Sequence, residues 1–142
     1  MYYLAYGSNL SKTQMARRCP DAKIAGKTML KDYRLVFRTH ATVEKHKGAK
    51  TPVLVWDISE KDEKRLDRYE GFPNYYIKQE MEVRMTSLDG RKPKKIKAMI
   101  YIMVKGPEKA APTWDYYNTI AEGYSDFNFD ISYLLEAVAD AV

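Results

Sequence analysis

Six consecutive residues near the start of the chain carry groups suited to chemistry: Tyr6, Gly7, Ser8, Asn9, Leu10 and Ser11. They follow the apolar run of residues 1–5, so we expect a strand to end and a helix to begin at this turn. Gly7 permits a positive φ or a close approach to a ligand, and N–H groups at such a turn can bind an anion or a developing oxyanion. The segment lacks the GxGxxG and GxxxxGK[ST] spacings of nucleotide-binding loops. The residues alone leave open an ordinary strand–turn–helix junction.

Glu70 is the second candidate, because it lies where a predicted helix ends among aromatic residues. The surrounding sequence is Tyr69-Glu70-Gly71-Phe72-Pro73-Asn74-Tyr75-Tyr76. The negative end of a helix opposes ionisation of a carboxyl there, and aromatic neighbours would desolvate it. Both effects raise the pKa toward that of a general base at neutral pH, and Asp67 would add like-charge repulsion if it shares the helix face. The alternative is an exposed glutamate paired with Arg65 or Lys64.

Other catalytic groups are scarce in this sequence. The only histidines, His40 and His46, lie in a polar segment without the spacing of metal ligands or of a catalytic triad, and Ser8 lacks the GxSxG pattern. Cys19 is the only cysteine, which excludes an intrachain disulfide and a cysteine-based metal cluster. Two neighbouring arginines would lower a thiol pKa, but a packed thiol is the favoured interpretation. We expect neither a metal nor a cofactor.

Length and composition indicate a globular protein. The chain has 142 residues, of which 45% are hydrophobic and 30% charged, so we expect residues 1–142 to form a single domain with its own core. No apolar stretch approaches the ~20 residues that span a bilayer, and no secretory signal is evident. We therefore predict a cytoplasmic protein without a membrane partner.

A basic cluster at residues 91–97 contributes to the net charge of +5. Such a cluster is one signature of a nucleic-acid surface. It lacks the interleaved aromatic residues of a single-strand binder, and charged loop residues also protect a following strand from edge pairing. We expect a solvated loop and no nucleic-acid partner.

Apolar periodicity and cap residues predict an α+β fold. Strands are expected at residues 1–5, 23–30, 33–39, 51–58, 75–87 and 98–104, with a turn at 31–32, a mobile polar loop at 40–50 and a hairpin turn at Asp89-Gly90. Helices are expected at residues 11–18 with Ser11 and Gln14 as a capping box, from Ser59 to about Glu70 before Gly71, from Pro112 to Gly123, and around Ile131, Leu134, Leu135 and Val138. So many strands in a short chain favour a small mixed β-barrel with flanking helices.

Two segments together resemble the γ-glutamyl cyclotransferase-like (AIG2-like) family. The first is Tyr3-Leu4-Ala5-Tyr6-Gly7-Ser8-Asn9-Leu10, which looks like the signature of that family. The second is Leu66-Asp67-Arg68-Tyr69-Glu70-Gly71, which resembles its LDxxEG motif. Val53-Leu54-Val55-Trp56 and the segment after Pro112 are similar to a strand and a late helix of the family, so the resemblance covers nearly the whole chain in order.

The resemblance implies a small mixed β-barrel with flanking helices and a γ-glutamyl cyclotransferase activity. In that reaction a γ-glutamyl amide cleaves itself by intramolecular aminolysis, giving 5-oxoproline and a free amine or amino acid, with Glu70 as general acid/base. The residues that the resemblance assigns to binding the γ-glutamyl substrate are Tyr3, Leu4, Ala5, Tyr6, Gly7, Ser8, Asn9, Tyr76 and Tyr116. The alternative is a non-catalytic module on the same fold that binds a small acidic metabolite.

Overall fold

The computed structural model describes residues 1–104 and 106–142, which form five strands and four α-helices. The strands are β1 (Tyr2–Ala5), β2 (Lys23–Arg38), β3 (His40–Asp57), β4 (Tyr76–Met85) and β5 (Lys94–Met103). The helices are α1 (Lys12–Arg18), α2 (Glu60–Glu70), α3 (Trp114–Asp126) and α4 (Ser132–Asp140). A short 3-10 turn, Ser8–Leu10, lies between β1 and α1.

The five strands form one mixed sheet in the order β2-β3-β1-β5-β4, which confirms the α+β class. β1 pairs antiparallel with β3 and parallel with β5, while β2–β3 and β4–β5 are antiparallel pairs. The two edges of the sheet approach each other at an isolated bridge between Lys27 and Thr86, whose N···O distances are 2.9 and 3.0 Å. The sheet therefore curls without closing, and the predicted barrel holds only in this loose sense.

The hairpin of β2 and β3 departs most from the prediction. Residues 40–50, predicted as a mobile loop, belong to β3, and residues 40–45 and 50 of them pair with β2. Their polar character reflects a strand that faces solvent beyond its buried residues 41–43. The turn predicted at 31–32 is a bulge within the continuous β2, where Asp32 has a φ of 64° and its Oδ1 accepts a hydrogen bond from the Gly48 N–H at 2.9 Å.

The second hairpin, β4–β5, has its turn where the sequence predicts it. Gly90 has a φ of 79°, and its N–H donates to the Ser87 carbonyl at 3.1 Å. β5 begins at Lys94, earlier than predicted, because this end of the strand pairs with β4 although its side chains are charged. Lys95, for example, lies 3.2 Å from Glu82. Part of the predicted basic loop is therefore strand.

The helix caps follow the sequence closely. The Ser59 side chain accepts from the Asp62 N–H, and the Asp62 side chain accepts from the Ser59 N–H, which completes a capping box at α2. Gly71, with a φ of 64°, ends α2 as predicted. At α1, Ser11 Oγ accepts from the Gln14 N–H at 3.2 Å. The Gln14 side chain does not complete the predicted box, because the Ser11 N–H donates at 3.0 Å to a carbonyl of the preceding turn.

α4 forms as predicted but buries a narrower face. Leu134 is buried, whereas Ile131 and Leu135 are 41% and 50% exposed. The helix lies against β2, so only one edge of the expected apolar face reaches the core. In the described part of the chain, no helix combines the length and the apolar character needed to span a membrane.

Gly123 lies inside α3, so its predicted role as the end of that helix is wrong. A Cβ at this position would lie 2.5 Å from the Leu10 Cβ. The glycine therefore lets α3 pack closely against the turn that follows β1. This contact places α3 beside the first sequence motif.

We expect Gly123→Ala to destabilise the protein by about 1–3 kcal/mol, although alanine favours a helix interior by about 1 kcal/mol. The new methyl meets the Leu10 Cβ, which cannot withdraw without moving its backbone. Urea unfolding measures the change. Glu122→Ala, an exposed substitution in the same helix, is the control and should remain within about 0.5 kcal/mol of the parent. A Gly123→Ala protein as stable as the parent would refute the packing role.

Candidate active site

Both sequence motifs meet at one cavity of about 320 Å³. The first motif leaves β1 and turns through Ser8–Leu10 into α1, and the second ends α2 at Glu70. This volume suits a small molecule. The residues that line the cavity are Tyr3, Tyr6, Gly7, Ser8, Asn9, His40, Ala41, Arg68, Tyr69, Glu70, Gly71, Tyr75, Tyr76, Tyr101 and Tyr116.

A larger cavity of about 1080 Å³ opens between β2 and β4, near the Lys27–Thr86 bridge. Its lining contains no residue of the two motifs. We therefore identify the candidate site by the meeting of the two sequence motifs and not by the volume of the cavity.

Most residues that the resemblance assigns to substrate binding lie at the smaller cavity, but Leu4 and Ala5 do not. These two residues are 0% and 1% exposed and belong to the core. Successive side chains of a strand point to opposite faces, so Tyr3 reaches the cavity while Leu4 points away from it. Ala5 shares the face of Tyr3 but has a short side chain.

Gly7 and Ser8 line the cavity at the turn that follows β1. Gly7 has a φ of −122°, so a positive φ, one of the two reasons considered for glycine at this position, does not apply. A Cβ would lie 3.3 Å from the Ala41 Cβ and 3.4 Å from the Tyr116 hydroxyl, so glycine permits a close approach. Among the hydrogen bonds between described residues, none uses the N–H of Gly7 or Ser8. Both amides are therefore free to bind an anionic group.

Asn9 holds this turn in place. Its Nδ2 donates to the Tyr3 hydroxyl at 2.9 Å, and its carbonyl accepts from Trp56 Nε1 at 2.9 Å. Its Oδ1 accepts from the guanidinium of Arg18 in α1. Asn9 is 3% exposed, and its polar groups are occupied by the protein, so its geometry suits positioning of the turn.

Two tyrosines fix the start of β3 at the cavity. The Ala41 N–H donates to the Tyr116 hydroxyl at 3.1 Å, and the Tyr76 hydroxyl donates to the Ala41 carbonyl at 2.7 Å. The neighbouring His40 ring packs edge-on against Tyr116, with 5.4 Å between centroids, and its Nδ1 lies 3.3 Å from the Tyr75 hydroxyl. The segment predicted to be mobile thus forms part of the wall.

Glu70 is half-buried at the end of α2. Burial raises the pKa of its carboxyl from an ordinary 4.5 to about 7, and the nearby Arg18 guanidinium partly opposes this rise. Arg18 itself stacks on the Tyr69 ring, 3.5 Å from its centroid. None of the ion pairs among residues 1–104 and 106–142 involves Glu70. Arg65, expected as its alternative partner, instead lies 3.4 Å from Asp62.

Asp67, one turn before Glu70, is engaged elsewhere. Its carboxylate accepts a hydrogen bond from the Tyr101 hydroxyl at 2.6 Å and lies 3.1 Å from Lys78 Nζ. The like-charge repulsion expected from the sequence is therefore offset by a cation. Burial is the cause of the raised pKa of Glu70.

The tyrosines of the wall supply hydroxyl groups and rings without charge. Burial raises the pKa of each of them above its ordinary value, and the Glu70 carboxylate adds to the rise. They therefore stay neutral across the physiological range. These tyrosines are Tyr3, Tyr6, Tyr76, Tyr101 and Tyr116.

Cys19 takes no part in the cavity. It is 1% exposed, and burial raises the pKa of its thiol to about 12. The structure confirms a packed thiol.

Several residues at or next to the cavity were not predicted. Tyr101 reaches the lining through tertiary packing, and His40 and Ala41 reach it through the pairing of β3. Arg18 lies outside the lining but acts on Glu70 and contacts Asn9. No local pattern marks these residues. Arg68 is the exception, because it lies inside the second motif and its proximity to Glu70 was visible in the sequence.

The family model described as "Gamma-glutamyl cyclotransferase, AIG2-like" matches residues 3–120. The chain belongs to this family. The N-terminal turn, the end of α2 and all the other residues that line the smaller cavity fall within the matched range. Comparison with curated protein sequences gives no match.

Solved structures agree with this membership. A structure named "Gamma-glutamyl cyclotransferase" is 25% identical with a TM-score of 0.79, covering 96% of this chain and 85% of that one. The uncharacterized protein loc79017 from Homo sapiens is 26% identical with a TM-score of 0.77 and the same coverage. YkqA from Bacillus subtilis, at 18% identity and a TM-score of 0.72, shows the fold alone; the alignment covers 97% of this chain and 55% of YkqA.

The raised pKa of Glu70 predicts a pH-dependent loss of stability. A carboxyl whose pKa is higher in the folded state binds more protons there than in the unfolded chain. Its full contribution is present below about pH 4.5 and is lost as the pH rises through about 7. Glu70→Gln removes this titration, so its stability relative to the parent should increase by about 1–3 kcal/mol between pH 5 and pH 8. Urea unfolding of both proteins at the two pH values measures the difference. Equal pH dependence of the two proteins would show that Glu70 is not desolvated.

Proposed function

We propose that this protein is a γ-glutamyl cyclotransferase that converts a γ-glutamyl amide into 5-oxoproline and a free amine or amino acid. The observation that carries the proposal is the position of Glu70, a carboxyl with a pKa of about 7 in the same small cavity as the free amides of Gly7 and Ser8. Membership of the family and the similarity to a structure named for this activity support it.

Two parts of the cavity, the Gly7–Ser8 turn and the tyrosine rings, have different roles in the proposed reaction. In the proposed complex, the N–H groups of Gly7 and Ser8 bind the substrate carboxylate or the oxyanion that develops on the attacked carbonyl. The tyrosine rings exclude water and hold the γ-glutamyl group against Glu70. Tyr76 and Tyr116 also tie β3 to the wall through Ala41, so the shape that receives the substrate is fixed before binding.

Glu70 moves protons in the proposed reaction. It accepts a proton from the α-ammonium of the substrate, and the freed nitrogen forms a bond to the carbon of the side-chain carbonyl. The resulting tetrahedral intermediate collapses, re-forms the C=O bond and breaks the original C–N amide bond. The two protons that the α-nitrogen loses end on the leaving nitrogen, with Glu70 as the carrier, so no net proton is consumed and 5-oxoproline is released with the amine.

Few groups are needed because the nucleophile and the electrophile belong to one molecule. Holding them in a near-attack geometry supplies several kcal/mol, up to about 7–11 in ideal cases. Neither a nucleophilic side chain nor a second substrate enters the scheme. A small aromatic cavity with one carboxyl and two free amides is a sufficient catalyst.

The first test is Glu70→Gln assayed on a panel of γ-glutamyl amides. The parent should release 5-oxoproline from at least one member, detected by mass spectrometry. Glu70→Gln should lower kcat about 10²–10⁴-fold, because glutamine keeps the shape but cannot carry the proton. The control is Glu60→Gln, an exposed acidic residue in the first turn of the same helix, which should retain the parent rate.

Two results would contradict the proposal. Turnover by Glu70→Gln at the parent rate would show that Glu70 is not the general base. Thermal stabilisation of the parent by γ-glutamyl amides without any product would favour the alternative, a non-catalytic module that binds a small acidic metabolite.

The pH dependence of kcat/KM provides a further prediction. The base must be ionised in the free enzyme, so kcat/KM should rise about tenfold per pH unit below the pKa of Glu70 and level off above about pH 7. Initial rates between pH 5 and pH 9 measure this limb. A limb centred near pH 4.5 would indicate an ordinary, solvated carboxyl and argue against the desolvated base.

A further inference from the structure

α2 carries three carboxylates along one face: Glu63, Asp67 and Glu70. Their spacing of four and three residues places them on successive turns of the same side. Three acidic groups so arranged repel one another unless a cation lies among them. Only Glu70 lines the cavity.

Lys78 of β4 supplies that cation. Its Nζ lies 2.9 Å from Glu63 Oε2 and 3.1 Å from the Asp67 carboxylate, and it also lies 4.4 Å from the centroid of the Phe72 ring. The three side chains of this triad are 23–25% exposed, so solvent screens them only in part. Lys78 is not among the residues that line the cavity.

Asp67 also attaches α2 to Tyr101 of β5, which lines the cavity. The Tyr101 hydroxyl donates to it at 2.6 Å, and the Tyr101 carbonyl accepts from the Tyr6 hydroxyl at 2.7 Å. A chain of contacts thus runs from the first motif through β5 to the last turn of α2. The carbonyl of Asp67 accepts from the Phe72 N–H at 2.9 Å, which fixes the chain just beyond Glu70.

We propose that Lys78 is a positioning residue that sets the pH range in which Glu70 acts as a base. It neutralises Asp67, so that the Tyr101–Asp67 anchor can sit one turn from Glu70 without suppressing its ionisation. The catalytic part of this role rests on the proposed function. The electrostatic effect of Lys78 and Asp67 on Glu70 is argued from the contacts alone.

Other charged and titratable groups also face Glu70 and must be held constant in a test. Arg18 of α1 is the cation that acts on it, and the tyrosines of the wall are neutral. The groups that face it are Arg18 from α1, Tyr3 and Tyr6 from the end of β1, His40 from β3, Tyr76 from β4, Tyr101 from β5, Tyr116 from α3, and Asp67, Arg68 and Tyr69 from its own helix. Of these groups, only Asp67 has Lys78 as an ion-pair partner.

The test is Lys78→Met, which keeps an unbranched side chain over Phe72 and removes the charge. Titration of the Glu70 side-chain carboxyl carbon by NMR, assigned with Glu70→Gln, gives its pKa whether or not the protein is active. We expect the pKa to rise by about 0.5–1 unit at low ionic strength, because Asp67 loses its cation and repels Glu70. Lys95→Met, which removes the cation of the Lys95–Glu82 pair, is the control and should leave the value unchanged.

A double variant separates electrostatics from structural damage. Adding Asp67→Asn to Lys78→Met removes the uncompensated charge, and asparagine can still accept the Tyr101 hydrogen bond. The pKa of Glu70 should return to within about 0.2 unit of the parent, although the double variant has lost more native contacts. An unchanged pKa in Lys78→Met, or a double variant shifted as far as the single one, would overturn the proposal.

Kinetics then tests the two proposals separately. Lys78→Met is assayed on the substrate that the parent turns over. The midpoint of the acid limb of kcat/KM should move to higher pH by the same amount as the pKa measured by NMR. The plateau at high pH should stay within about twofold of the parent value. A lowered plateau without a shift of the limb would mean that Lys78 is only structural. A shifted NMR titration in a protein that forms no 5-oxoproline would uphold the coupling and reject the proposed function.

Discussion

The site depends on the position of β1 at the centre of the sheet. The backbone of this four-residue strand is paired with β3 on one side and with β5 on the other, so the chain leaves the sheet at a fixed point. The turn that follows is then tied to both neighbours, to β5 by the Tyr6 hydroxyl and to β3 by Trp56 Nε1. Buried backbone groups must find partners. These ties hold Gly7 and Ser8 in place at the cavity, where neither N–H has a hydrogen-bond partner among the described residues.

Desolvation by the aromatic wall links this geometry to acid–base chemistry. A carboxyl at a helix end in water would titrate near 4.5 and would be too weak a base at neutral pH. Closing tyrosines around Glu70 raises its pKa to about 7, and the same tyrosines hold β3 in place through Ala41. The wall therefore stabilises the fold through its hydrogen bonds while it destabilises the ionised form of Glu70. The ionisation that the proposed reaction needs is thus opposed by burial at this one carboxyl.

Local signals in the sequence predicted the parts of the site that depend on a few neighbouring residues. Ser59 and Gly71 mark the two ends of α2, and the position of Glu70 follows from them. The failures share a physical cause, because each involves a contact between distant segments. Residues 40–50 look like a polar loop until β2 is placed beside them, and Gly123 looks like a helix end until Leu10 is placed against it.

Residues that surround Glu70 were hidden for the same reason. Arg18 is the last residue of an apparently ordinary helix, and Tyr101 lies in a strand whose pattern gives only its burial. Neither can be assigned to Glu70 without the packing of α1 and β5 around the end of α2. The sequence therefore predicts the base and the turn, while the groups that tune them come from the tertiary structure.

The second motif contains an apparent contradiction that the tertiary structure resolves. A carboxylate one helical turn before the proposed base opposes its ionisation, yet Asp67 is the group through which α2 is anchored to Tyr101. A cation from outside the helix accompanies this anchor, because Lys78 of β4 lies 3.1 Å from the Asp67 carboxylate. The β4–β5 hairpin thus contributes both the donor and the cation that hold Asp67. The position of this hairpin against α2 is therefore as much a part of the proposed acid–base site as Glu70 itself.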